Sequence, residues 1–426
     1  MADRQPDSFG VELGHYLSQL DSLRSMVPVL VMFAGVAREN FQKKLDEYAE
    51  EQGIEIRDSE DGGKHFSVPP SLVREFDKLY RRVEAARASQ RLVPPTFVVS
   101  LVSQYDAFLG RLIRLLFVHR PDLLAASERK LAYADLRRFE SIDAAAEHMV
   151  EKEVESVLRD SHTAHFDWLE RKLDTTLRNG LKIWPTFVEL TQRRNLFVHT
   201  DGRVSSQYLE VCGAHGVDVD PDTELGDELT APSAYFRQAC DCLFELATKL
   251  THVMWRKLDP DDREAADSNL NEVCHDLLVD GRNELALNLL DFATGTLKRH
   301  SSEQLRLFFV VNRAQALKRL DRSEDKDALI ASEDWSAMGN AFKLAKALLE
   351  DRHVDAAAIM RQIGPDSDEV PRSAYSQWAL FKEFRFTDEF QEAFLEIFGE
   401  DFVFTEEELK ADGEAAEPSD DGAPSE

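Results

Sequence analysis

The sequence predicts an all-α protein, and three observations carry that expectation. Glycine and proline are scarce, 19 and 15 in 426 residues, while the strong helix formers Ala, Leu, Glu and Arg recur throughout. Apolar residues return at intervals of three and four, the helical period, as in Leu72, Phe76, Leu79, Tyr80 and Val83. The punctuation agrees: Pro185 stands where a helix can open and Gly202 where one can close. A chain of this length exceeds one compact core, so two or three domains are expected.

Taken in order, residues 10–52 read as one long helix or two joined near Pro28. Within it Met26 to Ala37 is the longest apolar run. A bilayer span needs about 20 residues, so this run reads as a buried helix segment. Residues 53–70 read as a loop and 71–90 as a helix that Val93, Pro94 and Pro95 break, which closes an N-terminal helical region, 1–94. A helical bundle, 95–258, follows. Its helix from Thr96 to His119 is apolar on most of its circumference and belongs at the centre. Shorter helices cover 126–180, Ala144 to Arg159 being the clearest. The helix opened by Pro185 runs PTFVELTQRRNLFVH to Thr200-Asp201-Gly202, and Ser233 to Leu258 closes the bundle.

Residues 259–267 read as a linker, and 268–403 as short helices with short turns. Leu277-Leu278-x-Asp280 matches Leu348-Leu349-x-Asp351 at an offset of 71 residues, about two periods of ~34. Tyr375, Trp378, Phe381 and Phe384, then Phe390, Phe394 and Phe398, form an aromatic stripe of the kind that fills a repeat core. This half resembles tetratricopeptide-like helical hairpins, without the intact Trp-Leu-Gly-Tyr signature, which implies a surface for a protein partner. From Thr405 onward there are nine acids and one lysine, so 404–426 is expected to be a disordered acidic tail.

The net charge of -29 argues against broad, nonspecific nucleic-acid binding, so any such site must be a local basic pocket. The four cysteines lack disulfide-framework spacing, which suits a reducing compartment. With no signal-like N-terminus and no run of bilayer length, a cytoplasmic protein without a membrane partner is expected.

Chemistry concentrates between Glu189 and Tyr208, ELTQRRNLFVHTDGRVSSQY. Asn195 and His199 are four residues apart and share one helix face, and Arg194 can reach round to it. Phe187, Leu190, Phe197 and Val198 supply apolar surface elsewhere on the helix. Cleaving RNA without metal requires a base for the 2′-hydroxyl, an acid for the 5′-oxygen and a cation for the crowded phosphorane. Histidine suits the first two roles and the planar arginine fork the third.

Arg194-Asn195-x-x-x-His199 resembles the signature of the HEPN superfamily, helical-bundle proteins many of which are ribonucleases. The resemblance spans residues 95–258. It implies that Arg194, Asn195 and His199 form the active site of an endoribonuclease that needs no metal or other cofactor, and it fits a bacterial defence or toxin role. Arg193 and Tyr208 are the candidate RNA-binding residues beside them. One histidine per chain cannot serve as both base and acid, so a homodimer with a composite site is expected, its burial supplied by the helix Thr96 to His119 or Ser233 to Leu258. The alternative is a non-catalytic scaffold or nucleotide-binding protein that uses the motif for a ligand or for dimerisation. A plainer reading makes His199 a helix C-terminal residue and pairs Arg194 with Glu189.

Other clusters read as structural. Cys212 and His215 have metal-like spacing, but Cys240 and Cys242 point apart on a helix. His162 and His165 read as a surface pair. Asp218, Asp220 and Asp222 lack the glycine and closing glutamate of a calcium loop.

Overall fold

The computed structural model describes residues 8–58, 64–125, 131–336 and 338–405, and the chain divides into two compact units between Ala266 and Asp267. The protein is all-α apart from one small hairpin. Six helices open on Ser8, Ser141, Ser161, Ser205, Ser302 or Thr387, whose hydroxyls accept a backbone N–H three residues on. Such caps satisfy donors the helix itself cannot.

The first unit is organised on two long helices, α1 (Phe9–Glu51) and α2 (Val73–His119). At 1.5 Å per residue they are about 65 and 70 Å long. They run antiparallel: Phe9 stacks on His119, Tyr16 on Phe108, and Gly35 faces Gln90. Between them β1 (Glu55–Asp58) and β2 (Lys64–Ser67) pair antiparallel, with Ile56 opposite Phe66, where the sequence suggested a loop. Phe66 packs on Phe76 and so anchors this hairpin to α2.

Pro94 and Pro95 do not break α2, and Pro28 does not divide α1. An interior proline removes one ladder donor and costs about 3 kcal/mol. Here the two prolines are adjacent, and α1 packs along both halves of α2, so one continuous helix is retained. The expected boundary at residue 94 therefore lies inside a helix, and 1–94 is not separate from the bundle.

The run Met26 to Ala37 is also not buried. Only Val27 within it is enclosed, and Met26, Val29, Leu30, Met32, Phe33 and Val36 are exposed. By length and composition α1 and α2 each contain a stretch apolar enough to cross a membrane; about one tenth of the one in α1 and one third of the one in α2 is buried.

After α3 (Asp122–Ala125) and α4 (Tyr133–Leu136) come α5 (Ile142–Arg159), α6 (His162–Leu173), α7 (Trp184–His199), α8 (Ser206–Ala214) and α9 (Ser233–Leu258). The second half of α2 is enclosed by α1, α5, α7 and α9, and Leu101, Val102, Tyr105, Phe108 and Leu112 are solvent-inaccessible. α9 is likewise buried along most of its length. The two helices expected to supply dimer burial thus spend their apolar surface within the chain.

Residues 259–267 form a helical connection: α10 begins at Arg263 and ends at Val279. The second unit continues with α11 (Asn283–Asp291), α12 (Glu303–Arg319), α13 (Ser323–Ala331), α14 (Asn340–Leu349), α15 (His353–Ile363), α16 (Arg372–Gln377) and α17 (Asp388–Phe398). Three helix–turn–helix joints share one geometry. Gly281, Asp321 and Asp351 take positive φ, and the next residue, an arginine each time, donates its N–H to the carbonyl five residues back. This is the left-handed helix-closing turn that satisfies terminal carbonyls. The carbonyls are those of Leu277, Leu317 and Ala347, so the outer joints are 70 residues apart. The offset of 71 arises because aligning Asp280 with Asp351 matches residue types, whereas Gly281 occupies the equivalent position.

The aromatic stripe forms a core: Tyr375, Phe381, Phe384, Phe390 and Phe394 are buried together. Phe402 joins that core and Phe404 stacks on Phe386, so the ordered chain extends past the expected tail boundary at 404. The rest of that tail, from Glu406, lies outside the described residues.

Candidate active site

α7 is closed by its own sequence. Thr200 and Gly202 both donate N–H to the Leu196 carbonyl, and Asp201 and Gly202 take φ of 52° and 81°. Gly202 is required twice over. Its φ disfavours side chains, and a Cβ there would sit 2.8 Å from the Leu229 carbonyl oxygen. The segment 226–229 then runs back along 202–204, with Leu229 N–H donating to Gly202 and Val204 N–H to Asp227.

Consecutive helical residues point about 100° apart, and the two arginines of the motif accordingly face different surroundings. Arg193 is drawn inward. Its Nε donates to Glu189 at 2.6 Å, its fork donates to the Thr230 carbonyl, and its plane lies 4.2 Å from the centre of the Tyr235 ring. Glu189 also accepts from the hydroxyl groups of Tyr208 at 2.9 Å and Tyr235 at 2.8 Å. Burial, then the Glu189 carboxylate, holds both phenols well above their ordinary pKa, so each remains an O–H donor. The cluster borders a cavity of about 560 Å³ rimmed by Asp218 and Asp220.

Tyr208 is 2% exposed and its hydroxyl is engaged, so it offers no ring face to a base. Arg193 is similarly committed within the chain. Both RNA-binding candidates therefore act as ties between α7, α8 and α9.

Of the remaining three, His199 is exposed and Arg194 and Asn195 are half-buried. Arg194 donates to Asn195 Oδ1 at 3.1 Å, and its Nε is buried without an acceptor among the described residues. His199 is the last residue of α7; its side chain is exposed and makes no hydrogen bond or ion pair among the described residues. The plainer pairing of Arg194 with Glu189 is not formed, because Glu189 is one turn from Arg193 and taken by it.

His162 and His165 are buried rather than superficial. His162 Nε2 lies 3.0 Å from Asp106 Oδ1, a partner 56 residues away that local spacing does not reveal. Both ring nitrogens of His165 lack hydrogen-bond partners among the described residues. All four cysteines are buried and none is in a disulfide, and among the described residues no group of three or more His, Cys, Asp or Glu side chains converges as metal ligands would.

In the second unit a cavity of about 320 Å³ is lined by α10, α12 and α14, with Asn271, His275, Phe308, Asn312, Gln315 and Trp378 on its wall. Comparison of the chain with family models, curated proteins and solved structures finds no match.

Proposed function

We propose that the protein is an endoribonuclease whose catalytic groups are Arg194, Asn195 and His199. The observation that carries this reading is the contrast between neighbours. Arg193 is fully engaged, whereas Arg194 is held only by Asn195 among the described residues and His199 stands free at the helix end. An arginine and an accessible imidazole on one helix suit a phosphodiester. The resemblance of Arg194-Asn195-x-x-x-His199 to the HEPN signature supports the same reading.

In this mechanism one imidazole takes the 2′-hydroxyl proton and the 2′-oxygen attacks phosphorus. The 5′-oxygen leaves with a proton from a second imidazole, giving a cyclic phosphate. Arg194 stabilises the added negative charge, and Asn195 orients the Arg194 fork through the bond already present. Since each chain supplies one such histidine, two copies form the working site. No metal is assigned a role, because the residues supply acid, base and cation. The second unit binds a protein partner or trigger, and a cytoplasmic defence or toxin role is the setting this reading favours.

The deciding experiment incubates purified protein with RNA and compares wild type with His199→Ala. Cleavage by wild type alone supports the reading. Equal cleavage by both overturns it, and no cleavage by either favours the alternative of a ligand-binding or dimerising scaffold.

A further inference from the structure

The strongest feature outside the motif is the apolar face of α1. Met26, Val29, Leu30, Met32, Phe33 and Val36 are all exposed, Phe33 at 62% and Met32 at 57%. Positions 26, 29, 30, 33 and 36 follow spacings of three and four, the pattern of a helix–helix seam. Leu92 of α2 is exposed too, at 61%. Together these seven side chains present the equivalent of three to four whole large residues, on the order of 600 Å². That is at the upper end of what a monomer leaves open.

α1 also borders a cavity that reaches the end of the motif helix. A cavity of about 390 Å³ is lined by Val31 of α1, Leu92 and Pro95 of α2, and Phe197 and Asp201 at the end of α7. Those last two residues bracket His199. A partner seated on this stretch of α1 therefore lies beside the cavity that leads to the end of the motif helix.

We propose that a second copy of this chain covers this face, α1 against α1 about a two-fold axis, and that this contact brings the two motif ends together. The proposal rests on the composite-site reading above and names the surface that builds it. Area favours this occupant. A two-fold contact uses the same patch twice, so two copies bury on the order of 1,200 Å², above the ~1,000 Å² of a stable interface. A bilayer fits less well. The uncharged run Met26 to Ala37 spans about 18 Å against a hydrocarbon core of about 30 Å, although an 18-residue window of α1 is apolar enough by composition to count as a candidate span. The run lies between Arg24 and Arg38, and exposed Arg87 and Arg91 flank Gln90, the residue that faces Gly35.

The test is sedimentation velocity of the full chain at micromolar concentration, without RNA. Wild type is expected at twice the 48.5 kDa chain mass. Met32→Glu/Phe33→Glu is expected at the single-chain mass with unchanged helical circular dichroism, because both residues are solvent-exposed. Val354→Glu, an exposed apolar position in the second unit, is expected to remain dimeric. A monomeric wild type, or a double variant that still dimerises, overturns the proposal. So does a wild-type monomer that floats with phosphatidylglycerol vesicles while the double variant does not, which would assign the face to lipid. Mass is read independently of cleavage. A protein that dimerises through this face without cutting RNA refutes the nuclease reading and leaves the surface standing; a monomer that cuts RNA refutes the surface together with the two-copy site and leaves Arg194 and His199 as the catalytic candidates.

Discussion

Arg194 donates to the Oδ1 of its neighbour Asn195 at 3.1 Å, while Arg193, one position earlier, is held by Glu189 on a different face of α7. The bond aligns a guanidinium and an amide one turn before the free imidazole of His199. Its consequences can be measured.

His199→Ala is expected to reduce RNA cleavage by about 10²- to 10⁴-fold, the usual loss when a general acid–base group is removed. Since the side chain is exposed, the thermal midpoint should hardly move. Arg194→Ala should be comparably inactive. Arg194→Lys should recover little, because an ammonium lacks the planar fork. Initial rates on a labelled RNA, read beside circular dichroism, check all three.

Cleavage should survive EDTA. If chelation abolishes it and added magnesium or zinc restores it, the chemistry belongs to a metal and not to the Arg194–His199 group.

Glu189 holds three donors from three places in the chain, so its loss should be structural. Glu189→Ala leaves Arg193 and two phenols without their common acceptor. Removing one partner of a buried ion pair typically costs about 3–5 kcal/mol, and partial exposure places this case at the lower end. Urea denaturation of wild type and variant measures it. Glu189→Gln, which keeps an acceptor oxygen, should lose less, and a loss below about 1 kcal/mol for Glu189→Ala would show that the network is not a stabilising hub.

His165 provides a pH dependence. Burial, then the neighbouring His162, pushes its imidazole down from 6.5 to about 4. The unfolded chain takes up a proton near pH 6.5, whereas the folded chain does so only near 4. Stability is therefore fully present above pH 6.5, falls as pH drops toward 4, and levels off below. The gap corresponds to about 3 kcal/mol. Urea midpoints at pH 7 and pH 4.5 should differ less in His165→Leu than in wild type. An identical pH response in both proteins would exclude His165 as the source.

Gly202→Ala should destabilise the first unit by about 1–2 kcal/mol from its positive φ alone, with a further cost from the approach to the Leu229 carbonyl. A cleavage loss larger than the change in folded fraction would show that the turn also positions His199. Equal losses would confine it to stability.

Much of this was legible where local chemistry decides the outcome. α9 has the bounds read from its apolar period, and α7 starts beside Pro185 and stops before Gly202 as expected. That Asn195 and His199 share one face of α7 was legible because a helix fixes which residues share a face. Reading failed where the deciding partner is distant. Tyr235 reaches Glu189 across 46 residues and Asp106 reaches His162 across 56. Pro94 and Pro95 looked terminal because the packing of α1 that retains them is absent from their own window. Met26 to Ala37 looked buried because an apolar run records a preference for leaving water, not whether the cover comes from the same chain.

The adjacent arginines make α7 a gauge of its own register. With Glu189 clasping one guanidinium, the rotation of the helix is set, and the next arginine is turned about 100° away from that clasp. A residue inserted between Arg193 and His199 would leave the clasp intact while turning the imidazole through about 100°. Composition, helix content and the inner network would all survive such an insertion, and the direction in which His199 faces would not.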